Sequence, residues 1–207
     1  MTAGDVWQLV HAERAALVHD LEGLDEEQWH RPSLCEGWTV HDLAAHLVDT
    51  WRTTRLGFVA GLARARFHFD EQNARGVERW RGATPQETLQ RLRAAVSRTS
   101  TPPGPLDTRL VEEVVHGEDV RRPLALTHDY SPEAVERALR LQLRTPASFG
   151  GAKEVAARCR LVADDVDVAV GQGPEVRGPA LSLLLAVSGR PALEELSGPG
   201  VVVLTSR

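Results

Sequence analysis

The stretch "GWTVHDLAAHLVDT", residues 37–50, carries the start signal of an amphipathic helix. Thr39 is a candidate N-cap, and Asp42 follows three residues later, where its carboxylate can accept the backbone N–H of Thr39 in a capping box. The stretch therefore predicts a helix that begins at Val40 and runs well past Trp51.

A histidine occupies the apolar face of this helix. His46 lies among aliphatic residues, where another aliphatic side chain would pack better. A lone histidine in such a place is usually a packed or half-exposed side chain, so its position alone does not establish a metal ligand. Apart from His116, discussed below, the remaining histidines lack even this setting and are interpreted as surface or loop residues: His11, His19, His30, His41, His68 and His128.

The composition is that of an ordinary folded protein. The chain has 207 residues, enough for one large domain or two small ones, with 42% hydrophobic and 26% charged residues. It contains no apolar run near the ~18 residues of a membrane helix, and its N-terminus lacks the basic region of a signal peptide. We therefore expect a cytoplasmic protein that does not bind membranes.

The charge and the cysteines exclude further classes. The net charge is −5 and no basic stripe is present, which argues against nucleic acid as a partner. The two cysteines, Cys35 and Cys159, form neither a disulfide framework nor a CxxC metal motif. This usage is typical of a reducing compartment.

Four helix signals precede residue 123. Apolar positions at helical spacing predict a first helix over Asp5–Leu21, and the helix that begins at Val40 is the second. A third opens at "TPQE" (residues 84–87), with threonine as N-cap and proline in the first turn, and the proline-rich "TPPGP" (residues 101–105) ends it. The fourth lies between residues 107 and 123. Short connections between four helices favour an antiparallel bundle.

The pattern changes in the last third of the chain. "RCRLVADDVDVAVGQGPEVRG" (residues 158–178) alternates apolar and polar residues around turn-forming Asp and Gly, which predicts strands. "PALSLLLAVSG" (residues 179–189) predicts a buried helix, and "GVVVLTSR" (residues 200–207) predicts a closing strand. We therefore predict an α+β protein, with a helical bundle over residues 1–145 and a smaller α/β domain over residues 146–207.

The fourth helix carries candidate chemistry. Glu112 and His116 stand at i and i+4, so both side chains project from one face, within reach of a common ion. Asp119 lies one turn further on, where it can orient or support a ligand. His46, on another helix, can point into the same cavity, and such cavities are where bundle proteins build metal sites.

A purely structural interpretation stays open for these residues. Glu–His pairs at i and i+4 are common solvated contacts on surface helices. Cys35, just before the second helix, is an alternative metal ligand, although a small buried thiol in the loop is the simpler interpretation.

Three segments resemble the mycothiol-dependent maleylpyruvate isomerase family. They are "LCEGWTVHDLAAHL" (residues 34–47), "EEVVHGEDVRRPL" (residues 112–124) and "VGQGPEVRGPALSLLLAVSGRPALEELSGPG" (residues 170–200). The resemblance implies a DinB-like four-helix metal-binding bundle, followed by an α/β domain similar to sterol-carrier proteins, as in the bacterial branch of the family.

The resemblance also implies a metal site. The family pattern, carried over to this sequence, places a divalent metal on His46, Glu112 and His116, whereas Glu113 has the wrong spacing from His116. Zinc is the expected metal, with nickel and iron as alternatives. Three protein ligands leave a fourth position open, and the family pattern implies that it receives the thiol of mycothiol, the low-molecular-weight thiol of actinobacteria.

The implied activity is that of a metal-dependent enzyme. Mycothiol would act as nucleophile or cofactor for isomerisation or thiol transfer on a small electrophilic substrate, and the protein would be a monomer or homodimer. Arg75 and Arg190, with Arg79, are candidate substrate-binding arginines by approximate position, and Asp119 is the supporting catalytic residue. Two classes remain open: a metal-dependent hydrolase with Asp119 or Glu113 as base, and a non-catalytic module that binds a metal or a hydrophobic ligand.

Overall fold

The computed structural model describes residues 2–205, which contain helices throughout and a small sheet near the C-terminus. The helices are α1 (Ala3–Glu22), α2 (Glu26–His30), α3 (Val40–Arg52), α4 (Arg55–Arg64), α5 (Phe69–Trp80), α6 (Pro85–Arg93), α7 (Thr108–Arg121), α8 (Pro132–Gln142), α9 (Lys153–Ala156), α10 (Ala180–Val187) and α11 (Val201–Leu204). The strands are β1 (Arg160–Ala163), β2 (Ala169–Gly171) and β3 (Glu175–Gly178).

Local capping sets the start of the helix that the sequence singles out. The Thr39 hydroxyl accepts the backbone N–H of Asp42 at 3.2 Å, and the Asp42 carboxylate accepts that of Thr39 at 3.0 Å. The predicted start of α3 at Val40 is confirmed. The predicted extension well past Trp51 is wrong, because the helix ends at Arg52.

Three helices in the N-terminal part, α2, α4 and α5, were missed, and one predicted strand is wrong. α4 contains no buried residue and α5 buries only Gly76 and Val77, so neither presents the row of large buried apolar side chains on which the other helix predictions rest. The closing segment is the short helix α11 and not a strand. Ser197 already pairs with Arg177 at the edge of β3, and Gly198, at φ +100°, turns the chain away before the valines.

The chain divides into two compact units. The first comprises the residues up to Leu106 together with His116–His128, and the second comprises Asp107–Val115 together with the residues from Asp129 onward. In the first unit α3 packs against α5 and α6. Its core contains fully buried side chains, each worth about 1.5–3 kcal/mol relative to exposure, among them Leu17, Leu43, Leu47, Trp51 and Leu92.

The second unit holds the sheet, in the order β2-β1-β3. β1 pairs antiparallel with β2 and parallel with β3, so that Leu161 lies opposite both Val170 and Val176. α10 packs against β1, β3 and α8. The division into domains at residue 145 stays a prediction, and α8 lies in the second unit.

Between residues 2 and 205, none of the helices combines the length and the apolar character that a transmembrane span requires.

Candidate metal centre

A closed loop precedes α3 and lies against α7. The backbone N–H of Ser33 donates to the carbonyl of Trp38 at 2.9 Å, and that of Trp38 donates to the carbonyl of Cys35 at 3.0 Å. Gly37 adopts φ +77°, a left-handed conformation that glycine accepts without strain. The N–H of Leu34 donates to the backbone carbonyl of Asp119 at 3.0 Å, which ties the loop to α7.

The structure brings two of the predicted ligands together. His46, only 6% exposed on α3, has its ring centre 5.2 Å from that of His116, with the two planes at 83°. The ring of Trp38 covers His46 at 5.0 Å. The loop therefore closes over one histidine of a pair that lies edge to face.

Asp119 forms a hydrogen bond with the second histidine, His116. Its Oδ2 lies 2.9 Å from Nδ1 of His116, and the side chain of Asp119 is completely buried. Burial alone would lower the pKa of His116, but hydrogen bonds to Asp119 and Cys35 and the negative charge of Asp119 raise it to about 10. The raised pKa favours a charged His116 paired with the buried carboxylate of Asp119.

Cys35 completes this cluster. Its Sγ lies 3.2 Å from Oδ2 of Asp119 and 3.7 Å from Nδ1 of His116. Among residues 2–205, these three are the group of potential metal-ligating side chains whose ligand atoms lie within 4.8 Å of one another. Sequence reasoning gave Cys35 little weight, because Asp119, its partner, is 84 residues away in the chain.

The predicted third ligand, Glu112, forms an ion pair within α7. The carboxylate of Glu112 forms an ion pair with Arg109, one turn earlier in α7, with distances of 3.0 and 3.1 Å. Both side chains are largely buried, and both residues belong to the second compact unit. Glu113, the alternative that the spacing argued against, is 2% exposed.

Arg75 and Arg79 lie in a basic pocket, which we call the arginine pocket. It has a volume of ≈ 220 Å³ and is lined by α3, α4 and α5 with the residues between α3 and α4. Arg75 pairs with Glu71 at 2.6 Å and donates to the carbonyl of Arg64 at 3.1 Å. The lining residues are Asp49, Arg52, Thr53, Thr54, Gly57, Gly61, Arg64, Gln72, Arg75, Gly76, Arg79 and Trp80.

The other candidate arginine lies in the second unit. Arg190 is half-buried after α10, and its Nη1 donates to the backbone carbonyl of Ser188 at 2.7 Å.

One histidine was assigned to the wrong environment. His41 is 1% exposed, and its Nε2 lies 2.8 Å from the hydroxyl of Thr88 in α6, so its interpretation as a surface residue is wrong. Burial and the nearby charge of Arg81 lower the pKa of His41 to about 4. The residue faces α6, on the side of α3 away from the ligand face, and is a neutral part of the core.

The donor set is of the kind that divalent transition metals bind. Two imidazoles that share one tetrahedral zinc ion, with bonds of ~2.0–2.1 Å, have ring centres about 5 Å apart. The separation of His46 and His116 agrees with this distance. A carboxylate on the remote nitrogen of a histidine is also the usual support of a metal-binding imidazole, and Asp119 lies in that place. The residues present therefore fit a metal.

Part of the first compact unit matches the model of a known family. Residues 10–103 match the family model of the mycothiol maleylpyruvate isomerase N-terminal domain, which confirms the resemblance inferred from the sequence motifs. Cys35 and His46 lie inside the matched range. The chain has no significant match among curated proteins.

Two solved structures resemble the chain. They are the crystal structure of the mycothiol-dependent maleylpyruvate isomerase, with 18% identity and a TM-score of 0.61, and that of a histidine-to-alanine mutant, with 17% identity and a TM-score of 0.65. Each comparison covers 96% of this chain and 93% of the other. At this identity the likeness shows the fold, and it confirms the predicted class, a helical N-terminal part followed by a small α/β part.

Proposed function

We propose that the chain is a metal-dependent enzyme that uses a low-molecular-weight thiol, mycothiol. The thiol would serve either to isomerise a small electrophilic substrate or to be transferred to it. The observation that carries this proposal is the contact of His46 and His116 at 5.2 Å, backed by the buried carboxylate of Asp119. The match of residues 10–103 to the isomerase N-terminal domain supports the same activity. We propose that the protein is located in the cytoplasm and that it is a monomer or a homodimer.

His46 and His116 are the proposed core of the metal site, with Glu112 as the third ligand. Glu112 comes from the family pattern, and binding a cation would require its carboxylate to share or leave the ion pair with Arg109. Histidine nitrogens with a carboxylate oxygen suit zinc, and nickel or iron would bind the same donors. When bound, such a cation stabilises a thiolate and so supplies a nucleophile at neutral pH.

Asp119 fixes the orientation of His116. Its carboxylate accepts the Nδ1–H of the imidazole, so the remaining nitrogen, Nε2, is the one that can ligate. The same carboxylate also balances the positive charge that develops on His116. Asp119 is therefore a positioning residue and does not itself contact the substrate.

The arginine pocket supports an anionic substrate or thiol. Asp49, which lines it, follows His46 on the same face of α3 at i+3, and Thr53, also in the lining, directly follows the end of the helix. Arg52, Arg64, Arg75 and Arg79 bring four positive charges to this pocket, and guanidinium groups bind carboxylates with paired hydrogen bonds. Arg75 is the proposed substrate-binding residue here. A role for Arg190 stays a prediction from the family resemblance.

A turnover assay tests the proposal. The zinc-loaded protein is incubated with maleylpyruvate and a panel of other small electrophiles, with and without mycothiol, and wild type is compared with His46→Ala. We expect turnover only with both metal and thiol, and little turnover by the variant. Equal turnover without thiol would indicate a metal-dependent hydrolase, and metal binding without turnover of any electrophile would indicate a binding module.

A further inference from the structure

The loop before α3 presents a thiol to the proposed metal centre. Besides its two backbone hydrogen bonds, the loop is closed by the hydroxyl of Ser33, which accepts the N–H of Cys35 at 3.2 Å and donates to the carbonyl of Trp38 at 2.9 Å. The hydrogen bond from Leu34 to Asp119 joins this loop to α7. The position of the Cys35 side chain is therefore set by a network of fixed contacts.

Cys35 and His116 share one acceptor. Oδ2 of Asp119 lies 3.2 Å from Sγ of Cys35 and 2.9 Å from Nδ1 of His116. Asp119 is completely buried, and a buried carboxylate is costly unless donors satisfy its oxygens. Removing one of these donors would leave the carboxylate freer to turn or to take up a proton.

We propose that Cys35 is a positioning residue of the metal centre. Its S–H donates to Asp119 and holds that carboxylate against His116, so that the imidazole keeps the orientation in which its other nitrogen binds the metal. The inference rests on the proposed function, because it assumes that His116 is a ligand. It assigns a role to a thiol of this chain that is distinct from the thiol of the cofactor.

The distances favour a donor over a metal ligand. Sγ of Cys35 is closer to the oxygen of Asp119 than to the nitrogen of His116, 3.2 Å against 3.7 Å. Nδ1 of His116 is itself committed to Asp119. The three groups therefore satisfy one another through hydrogen bonds.

Two substitutions at Cys35 separate these roles. Zinc affinity is measured by competition with a chromophoric chelator for wild type, Cys35→Ala and Cys35→Ser, with Cys159→Ala as the control at the other cysteine, buried in the second unit. Cys35→Ala removes the donor and should weaken zinc binding about 10-fold, the lower end of the effect of supporting residues. Cys35→Ser keeps a donor and should recover most of the affinity, and Cys159→Ala should bind as wild type does.

Cobalt substitution provides a second readout. Without added thiol, the cobalt-loaded wild type should lack the thiolate-to-cobalt charge-transfer band, because Cys35 is outside the coordination sphere. The band in wild type, with equal loss of affinity in Cys35→Ala and Cys35→Ser, would make Cys35 a ligand and overturn the inference. Circular dichroism confirms that both variants are folded.

The two proposals fail in different ways. Normal zinc binding by wild type and by Cys35→Ala alike would overturn the role of Cys35 and leave the proposed function in place. Absence of zinc binding by wild type would overturn the metal-dependent function and this inference with it.

Discussion

His41 is buried and His116 is half-buried, yet the groups around the two histidines shift their pKa values in opposite directions. Hydrogen bonds to Asp119 and Cys35 raise the pKa of His116 to about 10, whereas burial and Arg81 lower that of His41 to about 4. Burial by itself disfavours the charged form of either residue. The difference comes from the partner, an anion in one case and a hydroxyl beside a cation in the other.

The comparison separates a chemical site from a structural one. Around His116 the protein supplies negative charge, which can also stabilise a metal cation once the ligating nitrogen has lost its proton. Around His41 it supplies the hydroxyl of Thr88 at 2.8 Å, and the positive charge of Arg81 affects the pKa more than the negative charge of Asp42 does. A histidine of the first kind is a candidate ligand, and one of the second kind is a core residue.

The largest expected effect is the loss of bound metal from the proposed site at His46 and His116. Replacing His46 or His116 with Ala removes a proposed ligand. Zinc affinity should therefore fall by more than ~100-fold, which is the upper end of the loss caused by mutating residues that support a ligand. Metal analysis after dialysis measures this loss, with His19→Ala, at a side chain that is 86% exposed, as the control. Full metal content in either ligand variant would remove that residue from the site.

The burial of His41 should affect how the free energy of unfolding depends on pH. The pKa of His41 is lower in the folded protein than the ordinary value of 6.5, so its contribution is complete above pH 6.5 and is lost as the pH falls towards 4. The loss should approach about 3 kcal/mol at pH 4, since one pKa unit corresponds to about 1.4 kcal/mol. Urea unfolding across this range should show a flatter profile for His41→Gln, and an unchanged profile would contradict the assignment.

Support of His116 by Asp119 should matter less than the ligands themselves. Asp119→Asn keeps the shape but removes the negative charge, so zinc affinity should fall ~10- to 100-fold while the fold persists. Asp70→Asn, at an exposed residue of α5, is the matched control. An affinity as low as that of His116→Ala would indicate that Asp119 is a ligand rather than a support.

The smallest expected effect lies in the arginine pocket. Arg75→Gln removes one charged hydrogen-bond donor from a half-exposed side chain, so KM for an anionic substrate should rise about 10-fold, with a smaller change in kcat. Arg55→Gln, on exposed α4 but outside the pocket lining, is the control. An equal rise in KM for the two substitutions would indicate that Arg75 acts only through the general positive charge of the surface and does not bind the substrate.

The sequence predicts those parts of the fold that local chemistry determines. The start of α3 follows from Thr39 and Asp42, which cap one another within four residues, and α10 follows from its apolar run. α4 and α5 were not found in this way, because their residues are mostly exposed and they bury few apolar side chains. The valines of α11 have the composition of a strand. Only the structure shows that Ser197 already pairs with Arg177 at the edge of β3.

The site was predictable only in part, for a similar reason. His46, His116 and Asp119 lie on helices whose faces can be read from spacing, and the family resemblance singled out the first two. The contact of Cys35 with Asp119 depends on a loop folding against a helix 84 residues away, which no local pattern encodes. The burial of His41 depends likewise on the packing of α3 against α6.

X-ray absorption of the zinc-loaded protein tests the central claim most directly, because it reports the atoms around the metal. The account predicts a nitrogen and oxygen shell with two imidazoles and no sulfur, and one sulfur atom at about 2.3 Å, the usual zinc–sulfur distance, after mycothiol is added. A shell without imidazole would contradict the site. Sulfur before the thiol is added, or none afterwards, would contradict the proposed chemistry.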